Sequence, residues 1–310
     1  MRAGQNPALI VVRCNLLATT RGFMSFVILQ VIVGGLLLGA VYALFSSGLT
    51  LVWGMMNVVN FAHGDFVMLG MYVAYLVYTL LGAGPLIGAP MAMLVLATVG
   101  IIVYFALIRE VMKGPMLAQI LGTFGLALLL RYSVFWWFGA NFLTLPENIV
   151  GGTLDLGGIR IPASRLLAGI VALAVTFGLH LLLTRTSLGS KMLAVAEDST
   201  AAQLMGIRPD TMQAIAWAIA AGATGLAGAL IATFFYIVPT VGETLAIVAF
   251  VTVSLGGFGS VPGALVAGLL IGVIESLSGY LIGAVYKDIV VYALFVSFLW
   301  FRPQGLLGKS

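Results

Sequence analysis

Apolar runs long enough to cross a lipid bilayer recur along almost the whole chain, with short polar stretches between them. They occupy 24–45, 65–81, 86–108, 116–138, 164–184, 212–236, 263–284 and 289–301. A helix of about 20 apolar residues matches a hydrocarbon core about 30 Å thick. Backbone in lipid must satisfy its own hydrogen bonds, so such runs commit the chain to helices. The expected fold is an all-α polytopic membrane protein with eight full spans. Two short apolar pieces, Ser46–Val59 and 244–255, add short or re-entrant helical segments. The first would reach roughly 21 Å, too little to cross alone.

Of the 310 residues, 62 % are hydrophobic and 8 % charged, against about 25 % charged in soluble domains. The net charge of +4 comes without a basic run or a basic–aromatic patch, which speaks against nucleic acid. A single cysteine, Cys14, excludes an internal disulfide and a cysteine-based metal site, and His63 and His180 are too few for zinc. No HExxH or GxSxG occurs. The closing Gly-Lys309-Ser310 imitates a phosphate loop, but Pro303 stands where that loop needs its first glycine. No catalytic residue, metal ligand or cofactor site of the chain's own is expected. Intramembrane carboxylates are scarce, which argues against an ion-driven carrier. Residues 1–23 read as an N-terminal extension with Met24 as the natural start, leaving 24–310 as one transmembrane domain.

The stretch 185–211 resists burial in lipid. It carries Arg185, Lys191, Glu197, Asp198, Arg208 and Asp210. Met192, Leu193, Ala196, Leu204 and Met205 recur at helical spacing, and Gly206 and Pro209 end the pattern. One or two short amphipathic helices at a membrane surface are expected, either as a solvated connector or as a docking knob. The N-terminus, 109–115, 185–211 and the tail hold ten of the fourteen basic residues, which places all four on the cytoplasmic side.

Two interruptions stand out. Asn57, Asn60, His63 and Asp65 follow the first short piece, and Gly256, Gly257, Gly259 and Pro262 follow the second. Irregular backbone at membrane depth survives only inside protein or beside water, and paired interruptions mark transport routes. Glu275, mid-span, must face protein or water. Asn57, Asn60, His63, Asp65, Gly257, Gly259 and Glu275 are therefore candidates to line a translocation path. The alternatives are a surface turn for His63–Asp65, tight helix packing for the glycines and a subunit contact for Glu275. Arg131 with Trp136 and Trp137 reads as a snorkelling cation in an interfacial belt. The flanks 24–109 and 212–302 share an outline that suggests an internal repeat of two halves.

Asn60-Phe-Ala-His-Gly-Asp65 after Gly48-Leu-Thr-Leu-Val-Trp-Gly54 resembles the LivH-type permease subunits of branched-chain amino-acid ABC importers. So do Ala194-Val-Ala-Glu-Asp198 with Leu204-Met-Gly-Ile207, Gly256-Gly-Phe-Gly-Ser-Val-Pro-Gly263 and Arg302-Pro-Gln-Gly-Leu-Leu-Gly308. The resemblance runs from Met24 to about Gly308. It implies a multi-pass subunit of the cell's inner membrane with a coupling helix in 190–207, where Leu193, Ala196, Glu197, Asp198, Ala201, Leu204 and Gly206 would meet an ATP-binding subunit. It also implies a second permease, two ATP-binding subunits that use ATP, and an extracytoplasmic solute-binding protein. Amino acids, amides and urea all remain open as substrates, and a self-sufficient channel or secondary carrier is the competing class.

Overall fold

The computed structural model describes residues 7–146, 151–156, 159–302 and 304–307, with side chains from Phe26 onward. Helix α1 (Pro7–Met56) is followed by α2 (His63–Leu81) and α3 (Pro85–Val103). A π-helical turn, Tyr104–Ile108, links α3 to the short α4 (Arg109–Val111). Then come α5 (Met116–Phe138), the antiparallel strands β1 (Thr153–Leu156) and β2 (Ile159–Pro162), and α6 (Ala163–Arg185). Two short helices, α7 (Ser187–Glu197) and α8 (Ser199–Leu204), precede α9 (Pro209–Ile231), α10 (Val241–Gly256), α11 (Val261–Leu281) and α12 (Lys287–Phe301). The proposed extension 1–23 falls on residues that are undescribed or described in backbone only.

Among the described residues seven helices are long and apolar enough to cross a membrane, and Val241–Gly256 is a shorter apolar helix. The difference from the eight expected spans is α12, which forms as a helix of 15 residues, roughly 22 Å long. The piece Ser46–Val59 is not separate, since α1 runs unbroken through it to Met56. Ser47 returns its hydroxyl to the Ala43 carbonyl at 2.6 Å, so the polar residues there are accommodated within the helix. The run 212–236 stops early. Helix α9 ends at Ile231, and 232–240 is irregular although its Phe-rich start reads as more membrane.

Helix α9 is the buried axis. Its Ala- and Gly-rich face lets neighbours approach to backbone distance, as small residues do between membrane helices. A Cβ on Gly70 of α2 would stand 2.5 Å from the Gly225 carbonyl oxygen, and one on Gly48 of α1 3.0 Å from that of Ala220. Helix α1 packs along α11 as α3 packs along α9, and α2 crosses α10.

These contacts fix direction. Gly35 lies against Gly272, Gly39 against Gly268 and Gly54 near Gly259, so α1 and α11 are antiparallel. Leu51 and Met55, near the end of α1, pack with Met192 and Val195 of α7. Arg109 pairs with Asp210 at 2.7 Å on that same face. The tail joins it too, with Leu306 N–H donating to the Leu255 carbonyl at 2.8 Å. The part of α1 around residues 26–35 lies at the opposite face, with the start of α12. The two ends of the described chain are therefore on opposite faces, whereas the basic residues placed both termini on the cytoplasmic side. Basic residues alone had set that placement; the glycine contacts decide the direction.

Candidate functional site

The first interruption is built for depth, not for a surface. Asn57 ends α1 at φ +52°, a left-handed conformation that Asn tolerates better than most side chains. Asn60 Oδ1 accepts from Ala62 N–H at 3.1 Å, and Thr123 Oγ1 donates to the Val59 carbonyl at 3.0 Å. His63 is buried and donates from Nε2 to the Phe45 carbonyl at 2.7 Å, which seats the start of α2 beside the middle of α1. His63–Asp65 is therefore no surface turn.

Beside it the starts of α2 and α10 meet. A Cβ on Gly64 would collide with the Gly242 carbonyl and the Ala246 amide, so this approach admits only glycine. Asp65 and Glu243 each stand in the first turn of their helix, where the macrodipole favours a carboxylate. Arg131 of α5 joins them. Its Nε and Nη2 donate to Asp65 Oδ1 and Oδ2 at 3.1 and 3.3 Å, and Nη1 pairs with Glu243. The Asp65 side chain is 0 % exposed and that of Glu243 61 %. This corrects one expectation, for Arg131 is a buried tie rather than a snorkelling cation. The signal for this tie was three lone charges inside or beside apolar runs, which lipid would not leave unpaired.

The other path candidates lie elsewhere. Gly257 and Gly259 form the tight turn between α10 and α11, at φ +99° and +80°, and Gly259 N–H donates to Thr50 Oγ1 at 2.9 Å. Glu275 is buried and pairs with Lys287 of α12. The seven candidates thus form three groups: Asn60, His63 and Asp65 leading from the end of α1 to the buried start of α2, Asn57 with the two glycines at the end of α1 that meets α7, and Glu275 toward the opposite face.

The polar stretch forms two capped helices. Thr186 Oγ1 accepts from Gly189 N–H at 3.2 Å to start α7, and Asp198 Oδ1 accepts from Thr200 and Ala201 N–H at 2.8 and 3.0 Å to start α8. Gly206 closes α8 at φ +82°. Met192, Val195 and Ala202 face inward onto Leu51, Leu179 and Ala216. Leu193, Glu197, Asp198 and Ala201 face outward, and Leu204 and Met205 stand 85 % and 82 % exposed.

The family described as "Branched-chain amino acid transport system / permease component" matches residues 31–299. The chain belongs to that family. This permease-family chain is 34 % identical over 294 residues to the high-affinity branched-chain amino acid transport system permease protein BraD of Pseudomonas aeruginosa, covering 91 % of this chain and 96 % of the relative. It is 30 % identical over 297 residues to LivH of Escherichia coli, with the same two coverages. Similarity extends to the permease protein LivM of Salmonella typhimurium, 28 % identical over 294 residues, covering 87 % of this chain and 68 % of that one. No solved structure matches the chain.

The permease is thus a multi-pass membrane protein with a charged tie at its helix interruptions and an apolar, acidic-edged projection on one face. Among its described residues no group of three His, Cys, Asp or Glu side chains could hold a metal ion.

Proposed function

We propose that this chain is the membrane-spanning permease subunit of an ABC importer for branched-chain amino acids, driven from its cytoplasmic face by two ATP-binding subunits. The single observation that carries the coupling role is the α7–α8 projection. One side of it packs on the ends of α1 and α9, and the other leaves Leu193, Leu204 and Met205 bare beside Glu197 and Asp198. An apolar patch of this kind at a water-facing surface marks a protein contact. Through α1 and α9 it reaches the helices that carry the interruptions, so a push on the projection moves them. ATP supplies the bias because it binds the closed pair of partner subunits better than the open pair. The chain itself takes no cofactor in this reading.

The cytoplasmic face is that of 186–208, where Arg109, Lys113, Arg185, Lys191 and Arg208 gather, in keeping with the positive-inside rule. The match to LivM, itself named a permease protein, supports a second permease subunit as partner. A solute-binding protein delivers substrate at the opposite face. The names of the relatives favour branched-chain amino acids over amides or urea. Helices α1–α3 and α9–α11 form two halves of opposite direction, with 57–62 matched to 232–240. The mutual packing of α1 on α11 and α3 on α9 supports this repeat. Glu243 is exposed beside the charged tie, where lipid would not accept it, so that side faces the solute path or the second permease.

The test replaces Glu197–Leu204 by a Gly/Ser linker in the complete transporter. Leucine uptake and solute-stimulated ATP turnover should both vanish while the permease still inserts. Persistence of both would falsify the coupling role.

A further inference from the structure

A cavity of about 720 Å³ opens at the face opposite the α7–α8 projection. Its size falls within the range of about 300–1,000 Å³ typical of small-molecule sites. The floor is aliphatic, formed by Leu37 and Leu38 of α1, Ile231 of α9, and Leu245 and Val248 of α10. Aromatic rings, Phe142, Phe235 and Tyr236 among them, form part of the wall, and four charged side chains also line it: Arg165 of α6, Glu275 of α11, and Lys287 and Asp288 of α12. Their formal charges cancel. Lys287 bridges Glu275 and Asp288, the latter at 3.9 Å. Among the described residues Arg165 forms no ion pair; its guanidinium carbon lies 5.5 Å from the centre of the Phe234 ring. The first turn of α10 also borders the cavity, through Val241 and Thr244, and adds the positive end of a helix that begins within the protein.

We propose that this cavity is the outward-facing solute subsite of the transporter, taking a zwitterionic α-amino acid with an aliphatic side chain. The proposal rests on the permease reading and deepens it. The carboxylate of the solute meets Arg165, whose planar fork suits it, and the first turn of α10. The ammonium group meets the carboxylates of Glu275 and Asp288. The aliphatic side chain settles on the leucine and isoleucine floor. A lining without net charge matches a solute without net charge. Lysine or glutamate would bring an extra charge onto apolar groups that offer no partner, and burial without one is costly. Lys287 holds the two carboxylates together in the meantime and so prevents their mutual repulsion from opening the site.

The experiment uses the complete transporter in proteoliposomes, with Cys14→Ser as background and Thr244→Cys as reporter. Thr244 is exposed and lines the cavity. A charged methanethiosulfonate reagent is applied from the outer face. Leucine, at a concentration that saturates uptake, should slow the labelling several-fold, while lysine and glutamate leave it unchanged. Arg165→Met should raise the leucine concentration for half-protection by about tenfold, the order of one charge-assisted contact, and Arg165→Lys by clearly less. Val285→Cys, on the exposed rim, is the second reporter should the first variant not assemble. If the unmodified transporter takes up leucine and neither reporter is protected, or all three amino acids protect equally, the subsite is wrong and the permease reading stands. If that transporter takes up no leucine, both fall together.

Discussion

Replacing Arg131 by Met removes the cation that holds Asp65 and Glu243 together. Asp65 is then left at 0 % exposure with no positive partner, whereas Glu243, at 61 %, can turn to water. Stranding a buried charge by deleting its partner costs about 3–5 kcal/mol, while an exposed pair is worth about 0–1 kcal/mol. Nearly all of the loss should therefore come from Asp65. With an unfolding entropy of roughly 2 cal/mol/K per residue, this corresponds to a fall of about 5–8 °C in Tm. Measured by the loss of monodisperse protein on heating in detergent, Arg131→Met should show that fall. Glu243→Gln should shift Tm by about 1 °C or less. The double variant Arg131→Met/Asp65→Asn should regain most of the loss, because no buried charge is left unpaired. A double variant no better than the single one would refute the tie, as would an Arg131→Met protein with unchanged Tm.

The remaining predictions follow from packing and exposure. Gly64→Val should abolish accumulation of the permease in membranes, because the added atoms would meet the backbone of α10, whereas Gly125→Ala, with open space around it, should leave accumulation and Tm unchanged or slightly raised. Both are read by immunoblot and melting curve. Leu204→Asp together with Met205→Asp should leave folding intact, since both side chains are exposed, yet weaken capture of the ATP-binding subunits by about tenfold or more in a pull-down. Opposite faces carry the two ends of α1, so a cysteine at Gln203 should label only from the cytoplasmic side and one at Val285 only from outside.

Much of this fold was legible in the sequence. Apolar length located α2, α3, α5, α6, α9 and α11 within a few residues, except that α9 ended early. Turn chemistry located the end of the projection at Gly206 and Pro209, while the Asp198 cap between its two helices showed only in the structure. Glu275 was read to need a partner, and it has Lys287. The continuity of α1 escaped because hydropathy marks where a run could stop, and nothing at Ser46 obliges it to. Arg131 escaped because its partners lie 66 and 112 positions away, so pattern along the chain could show that it needed a partner but not which one. Direction escaped because it is written in close glycine contacts between distant helices. The three groups of path candidates separated for the same reason.

The account stands on this chain being a gate worked by partner subunits. The most direct measurement is uptake of labelled leucine into proteoliposomes holding the complete transporter with its binding protein, beside proteoliposomes holding this chain alone. Accumulation should occur only in the first, and only with ATP on the side of the α7–α8 projection. Leucine entering the second at a comparable rate would contradict it.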